Sequence, residues 1–227
     1  MSAVPVYCIS GLGADARVFE HLELPGCALH HVSWLPPARG SLDSRGARSS
    51  RAEPIAAYAA RMAASIRHEQ PVLLGLSFGG VMAIEIARLL PVRRLWLLST
   101  VKQRDEMPGY MRFGKYLPLH KIFLPLNPQR WMGPIENRNL GVETPEERAM
   151  VSEFRRDVDV YYLRWAIDAL INWDMPAPPG NSLHIHGGAD RIFPVALARP
   201  DVVVPGAGHF MVHNRAPEVS RLLLQDL

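Results

Sequence analysis

The sequence has little cysteine, no long apolar run and no strong charge of either sign, and each absence removes a class of function. Cys8 and Cys27 are the only cysteines among 227 residues. They are too few for a disulfide framework and lack the spacing of a metal site; Cys8, inside an apolar run, reads as a small core residue. No window approaches the roughly 18 apolar residues of a membrane span, so none is expected. The opening MSAVPVYCIS has no basic region and no long apolar stretch, so it does not read as a secretory signal, and the expected location is cytoplasmic. The formal charge is +3, with basic residues spread along the chain, which argues against nucleic acid as a partner. Four arginines do fall between Arg39 and Arg51, but Ser, Gly and Asp interrupt them. That stretch reads as a solvated loop, with an anion or membrane contact as the alternative. There is no internal repeat and no low-complexity tract.

What remains is an ordinary globular composition, 48% hydrophobic and 21% charged, long enough for one well-buried domain with a small insertion. Apolar strand-like runs occur at Val4–Ser10, Ala28–Trp34, Pro71–Leu74 and Arg93–Thr100, then again at Ser182–His186 and Asp201–Val204. Between the early runs, Ile55, Tyr58, Ala59, Met62 and Ile66 recur at helical spacing over Glu53–His68, with Pro54 suited to the first turn. Gly79–Leu90 reads as a second helix. Strands alternating with helices at this spacing imply βαβ units and a mostly parallel sheet flanked by helices.

The alternation stops between Val101 and Trp173, where prolines punctuate the chain and no strand is evident. Thr144-Pro145-Glu146-Glu147 is a helix start with a hydroxyl cap, proline at the first helical position and the glutamate of a capping box. Asp159–Ile171 is a further helix with Tyr162, Trp165, Ala166 and Ala169 on one side, and Arg215–Leu227 closes the chain as a helix. Residues 101–175 thus read as a helical cap inserted into a core made of 1–100 and 176–227. This segment holds ten of the eighteen aromatic residues. They pack the insertion on the core, line a pocket, or do both; Trp131, Tyr162 and Trp165 are the expected lining residues.

Gly75-Leu76-Ser77-Phe78-Gly79 matches G-x-S-x-G. Composition alone gives roughly 0.07 such matches in a chain of this length, so the context must carry the argument. The match follows a four-residue apolar strand and opens an Ala-, Ile- and Met-rich helix, the setting of a nucleophile elbow. There a serine sits on a strained turn, the flanking glycines allow close packing, and the Phe78 amide at the helix start can face a developing oxyanion. The competing reading is a strand-to-helix turn with an incidental serine. A serine hydroxyl needs a base. Gly206-Ala207-Gly208-His209 presents one just beyond a strand, and Gly187-Gly188-Ala189-Asp190 presents an acid just beyond another, in the chain order Ser, Asp, His. Asp105 or Glu106, past the Arg93–Thr100 strand, is the alternative acid.

Over almost its whole length the chain resembles the α/β-hydrolase superfamily. The resemblance rests on Ser10-Gly11-Leu12-Gly13 after the first strand, the Ser77 elbow, His186-Gly187-x-x-Asp190-x-x-x-Pro194 and Gly208-His209. It implies Leu12 and Phe78 as the oxyanion-binding amides. Two departures stand out. Ser10 occupies a position where many relatives have histidine, and the chain starts at the strand before that loop, without the usual preceding hairpin, so a sheet of about six strands is expected. The reading is a serine hydrolase, a carboxylesterase acting on a small or apolar ester through an acyl-enzyme, with a small-molecule substrate and no cofactor. Thioester, lactone or amide cleavage, a non-catalytic ligand receptor and a scaffold are the alternatives; oligomeric state is left open. His184 and His186 alternate on one strand and could share a face to bind a metal, but no partner has the spacing, so no metal is expected. His213, without preceding glycines, reads as a helix-start or surface residue.

Overall fold

Short apolar runs become strands where flanking helices can bury both their faces. In the computed structural model of the chain, which describes residues 3–38, 52–114, 116, 129–174 and 180–227, six such runs form one parallel sheet. They are β1 (Val4–Ile9), β2 (Cys27–Val32), β3 (Val72–Leu76), β4 (Arg94–Leu98), β5 (Ser182–Gly187) and β6 (Val202–Val204). Their spatial order is β2-β1-β3-β4-β5-β6. The chain leaves β1 for β2 on one side and returns with β3 on the other. That reversal opens a crevice beyond the carboxyl ends of β1 and β3, the usual ligand position in an open α/β sheet. The register sets Ile9 beside Gly75 and Gly75 beside Leu97, so the loops after β1, β3 and β4 emerge together.

Alternation along each strand divides the core into two layers. Tyr7, Ile9, Leu73, Leu95 and Leu97 face helices α1 (Ile55–Ala63) and α2 (Phe78–Ala87). Val6, Cys8, Leu74, Trp96, Leu98 and Ile185 face a 3₁₀ turn at Ala16–Phe19 and helices near the C-terminus. A parallel sheet covered on both sides needs apolar residues at nearly every strand position, which is why β1, β3 and β4 show no polar alternation. Helix α2 runs beneath the sheet with Phe78 to Ile86 all buried. Cys8 lies in the core as expected, and both cysteines are free.

Several boundaries differ from the sequence reading. Pro54 stands at the cap of α1 rather than inside its first turn, and the helix ends at Ala63, not His68. There Ser65 turns its hydroxyl and its amide onto the Met62 carbonyl (2.8 and 3.1 Å), closing the helix with shorter-range bonds. Between β4 and β5 lie a 3₁₀ turn (Arg104–Glu106) and helices α3 (Gly109–Gly114), α4 (Gln129–Leu140), α5 (Pro145–Asp157) and α6 (Val160–Asn172), with no strand among the described residues. Helix α5 starts with the capping box read from the sequence: Glu147 N–H donates to Thr144 Oγ1 (3.1 Å) and Thr144 N–H to the Glu147 carboxylate (3.2 Å). After β5 comes the short α7 (Val195–Ala198). The closing helix expected over Arg215–Leu227 is α9 (Ala216–Gln225), and a short α8 (Met211–Asn214), divided from it at Arg215, precedes it. Pro217 explains the division, since it lacks the N–H that would continue α8 but fits the first turn of a new helix. Among the described residues no helix is long and apolar enough to cross a membrane. The arginine-bearing stretch from Arg39 to Arg51 lies outside the described residues.

Candidate active site

Strand β3 ends at Leu76 and α2 begins at Phe78, so Ser77 alone makes the turn from strand to helix. It does so with φ 54° and ψ −122°, a conformation that costs an L-residue free energy and persists only when its surroundings hold it. Main-chain bonds supply that hold. Ser77 N–H donates to Leu98 O (2.9 Å), and Ser77 O accepts from Gly80 N–H (2.9 Å) and Thr100 Oγ1 (2.6 Å). The neighbouring glycines are required by space: a Cβ on Gly75 would lie 2.5 Å from Gly79 O, and one on Gly79 would overlap the Ile9 and Ser10 carbonyl oxygens. This close packing presses the turn against the loop after β1, where a Cβ on Gly11 would be 3.6 Å from Ser77 Cβ.

Asp190 and His209 reach Ser77 from loops after β5 and β6. The two loops are joined by main chain, with Gly188 N–H on Val204 O (2.9 Å) and Ala189 N–H on Ala207 O (2.8 Å). Gly187 has no room for a side chain, because a Cβ there would sit 2.5 Å from Gly208 O. On this support His209 Nδ1 lies 2.7 Å from Asp190 Oδ2 and His209 Nε2 lies 2.9 Å from Ser77 Oγ. Asp190 Oδ1 accepts the amides of Ile192 (2.8 Å) and Phe193 (3.0 Å). Burial pushes the Asp190 carboxyl up, but the charge of His209 and hydrogen bonds from His186 and His209 outweigh it and hold the group well below the usual carboxylate range. An ionised carboxylate only accepts, so Nδ1 of His209 carries the proton and Nε2 is left to accept the Ser77 hydroxyl.

Ser77 and His209 stand in the wall of an apolar cavity of about 720 Å3, within the range of small-molecule sites. Leu12 and Phe78 line it beside them. The rest of the wall comes largely from α3 to α6, including Leu140, Phe154, Val158, Leu163, Ile167 and Leu170.

The expected lining residues on α6 are a correction. Tyr162 and Trp165 do not face this cavity; both are buried, Tyr162 at 5% and Trp165 at 4% exposure, among Trp34, Tyr58 and Phe78. Trp165 Nε1 donates to Glu53 O (2.7 Å), fixing the indole towards α1. Residues 163, 167 and 170 recur at four and three, so they lie on one side of the helix while 162 and 165 lie on the other. The Trp131 side chain lies outside the described residues. His213 is likewise not at the surface: it is the third residue of the short α8, is 7% exposed and packs at a tilt against the rings of His21 and Phe210. The alternative acids are engaged elsewhere, Asp105 with Arg199 (2.6 Å) and Glu106 with Lys102 (3.1 Å).

Two features of the site escape sequence reasoning. Ser10 Oγ donates to Ala14 O (2.7 Å) and accepts Trp34 Nε1 (3.0 Å), and the same indole N–H reaches Gly11 O (3.2 Å). The Trp34 ring also stacks on Phe78, 5.5 Å between centroids at 18°. Trp34 therefore braces the loop carrying Leu12 and the helix start carrying Phe78 at once. Its position past the end of β2 was the only signal. Behind Asp190, His184 and His186 do share one face of β5, where they meet each other and Lys102.

Comparison with known proteins agrees with this architecture. A thermophilic esterase from Thermogutta terrifontis superposes with a TM-score of 0.72 at 18% identity, covering 99% of this chain and 89% of that one. A bromoperoxidase from Bacillus anthracis gives 0.71 at 15% identity, covering 99% and 91%. An esterase from Exiguobacterium antarcticum gives 0.70 at 16% identity, again covering 99% and 91%. No curated protein matches by sequence. At these identities the likeness is one of fold. The model of the alpha/beta hydrolase family, however, matches residues 6–222, nearly the whole chain, and the chain belongs to that family.

Proposed function

We propose that this hydrolase cleaves carboxylic esters with an apolar acyl or alcohol group, through an acyl-enzyme on Ser77. The observation that carries the reading is the unbroken line from Ser77 Oγ to His209 (2.9 Å) and from His209 to Asp190 (2.7 Å) in the wall of an apolar cavity. His209 Nε2 takes the Ser77 proton as Oγ bonds to the ester carbon and the carbonyl π electrons move onto oxygen. The Leu12 and Phe78 amides stabilise that oxyanion, and Asp190 keeps the imidazole in the required tautomer. When the tetrahedral adduct collapses, the C–O bond to the alcohol breaks and His209 returns its proton to the leaving oxygen. Water, deprotonated by the same nitrogen, then frees the acid and regenerates Ser77. No step draws on a cofactor.

Residues 101–175 serve in this reading as a cap: α3 to α6 enclose the acyl or alcohol chain and set its preferred size. Among the described residues of the wall, Arg155 and Glu136 pair with each other (2.8 Å), which fits an uncharged substrate. The test is turnover of p-nitrophenyl esters from acetyl to lauroyl, alongside labelling by a fluorophosphonate. The expected result is multiple turnover and labelling at Ser77. Labelling without turnover would leave a ligand receptor, and neither would overturn the reading.

A further inference from the structure

The two histidines of β5 are fully buried, at 0% exposure each, directly behind the Asp190 carboxylate. His186 Nε2 lies 2.7 Å from Phe193 O and 3.2 Å from Asp190 Oδ2. His186 Nδ1 lies 3.1 Å from His184 Nε2, and His184 Nδ1 lies 3.0 Å from Lys102 Nζ. Lys102 also donates to Ala198 O (2.9 Å) and Arg199 O (2.7 Å) and pairs with Glu106 Oε1 (3.1 Å).

Proton bookkeeping leaves one arrangement. An ammonium offers only donors, so His184 Nδ1 accepts from Lys102. Burial, with Lys102 and His186 beside it, holds His184 down to about 2, so the ring is neutral and its single proton is on Nε2. That proton is donated to His186 Nδ1. His186 then carries its own proton on Nε2, facing the two acceptors, Phe193 O and Asp190 Oδ2. Every donor in the chain points the same way, from the Lys102 ammonium to the Asp190 carboxylate. Oδ2 receives it opposite the His209 N–H, while Oδ1 is held by two amides. Three donors bond the carboxylate, and the His186 N–H, bonded first to Phe193 O, lies 3.2 Å from Oδ2 as a fourth.

We propose that His186, backed by His184 and Lys102, is a positioning residue that fixes the Asp190 carboxylate and moderates its charge toward His209. The proposal rests on the reading of Ser77, His209 and Asp190 given above. His186 shares Oδ2 with His209, so it draws off charge that would otherwise stabilise the imidazolium. Losing that donor should leave the carboxylate freer to rotate and His209 more basic. The charged and titratable groups around the chain are few. Glu106 faces Lys102, the Asp201 carboxylate takes the His184 amide (2.8 Å), and Tyr110 of α3 faces Asp190; the Arg199 guanidinium is turned onto Asp105.

The experiment compares His186→Leu, which removes the donor, with His186→Gln, whose amide nitrogen can still donate to Asp190. For His186→Leu the expected result is a 10- to 100-fold loss of kcat, roughly part of what general-base catalysis contributes, with little change in KM. The midpoint of its pH–rate profile should move up by about half a unit or more, and His186→Gln should restore both kcat and midpoint. A folded His186→Leu with wild-type kcat and midpoint would overturn the proposal, as would a Gln variant no better than Leu. Imidazole 15N spectra of the wild-type chain decide it independently of any variant: His184 should be neutral from pH 5 to 8, and both rings should carry their proton on Nε2. Protonation of His186 on Nδ1 would overturn it. A wild-type chain that neither labels nor turns over, yet shows these tautomers, would fault the hydrolytic reading and leave the hydrogen-bond chain standing.

Discussion

The two sides of the cavity are built by different means. The side carrying Ser77, Asp190 and His209 is made by main chain: a strained turn, glycines packed against carbonyl groups, and two loops bonded to each other. The side built from α3 to α6 is made by side chains, mostly aliphatic, projecting from helices. Main-chain construction tolerates little variation because a single Cβ collides, whereas a helix face can exchange one apolar group for another. The first side is thus suited to holding atoms at fixed distances, and the second to setting the shape of what is bound.

The sharpest test of that division is Ser77→Ala, expected to lower ester turnover by roughly 10⁶ for every chain length and to abolish fluorophosphonate labelling. A selective loss, sparing some esters, would break the comparison. Asp190→Asn should cost roughly 10⁴, again without changing selectivity, because the amide favours the wrong imidazole tautomer. Asp105→Asn, whose side chain meets Arg199 at the surface, should stay near wild type in the same assay. On the helical side two variants of α6 should separate. Trp165→Ala removes a buried ring and is expected to lower stability by about 3–5 kcal/mol with the chain-length profile unchanged, read by denaturant melts beside the ester series. Leu170→Ala, on the cavity face, should instead shift preference toward longer or bulkier esters by about 1–3 kcal/mol per methylene-sized change. Equal selectivity in both would mean that the face of α6 does not matter.

The smallest expected effect concerns acid. His184 is held near 2 by burial and by Lys102 and His186 beside it, against an ordinary value of 6.5, so between those limits the unfolded chain binds a proton that the folded chain does not. Stability should therefore fall as pH drops below about 6.5, by at most about 1.4 kcal/mol per pH unit for this group, and be constant above it. His31 and His213 are also lowered by burial, so the measurement is the difference in slope between wild type and His184→Leu. Urea melts from pH 6.5 to 4.5 avoid the carboxylate Asp190, whose stabilising contribution is present above its unfolded value and is lost only in stronger acid. An unchanged slope would mean that His184 is charged in the folded chain.

What was legible in the sequence follows the same division. Glycine at 75, 79, 187 and 208 marks where backbone meets backbone, and each lies within three residues of Ser77, Asp190 or His209, so the meeting of those three could be read from short local patterns. The parallel sheet could be read for a similar reason, since the runs of β1, β3 and β4 are apolar at nearly every position. The inner face of α6 was not legible. Both of its sides are apolar, and ring size pointed to Tyr162 and Trp165 although the aliphatic Leu163, Ile167 and Leu170 face the cavity. His184 and His186 were visibly on one face, but their partner Lys102 is distant in sequence and nothing local announces it.

The turn joining α4 to α5 adds a mechanical consequence. Phe210 N–H donates to Leu140 O (2.8 Å), Asn214 Nδ2 donates to Gly141 O (2.9 Å), and a Cβ on Gly141 would lie 2.9 Å from Gly208 Cα. The helical segment is thus stitched to the loop of His209 at this turn. Any outward swing of α4 and α5 must either pivot about residues 140–141 or tear the histidine loop from its place. Hydrogen exchange at the Phe210 amide reports which occurs: a pivot leaves that proton protected while the helices loosen, and a tear exposes it together with them.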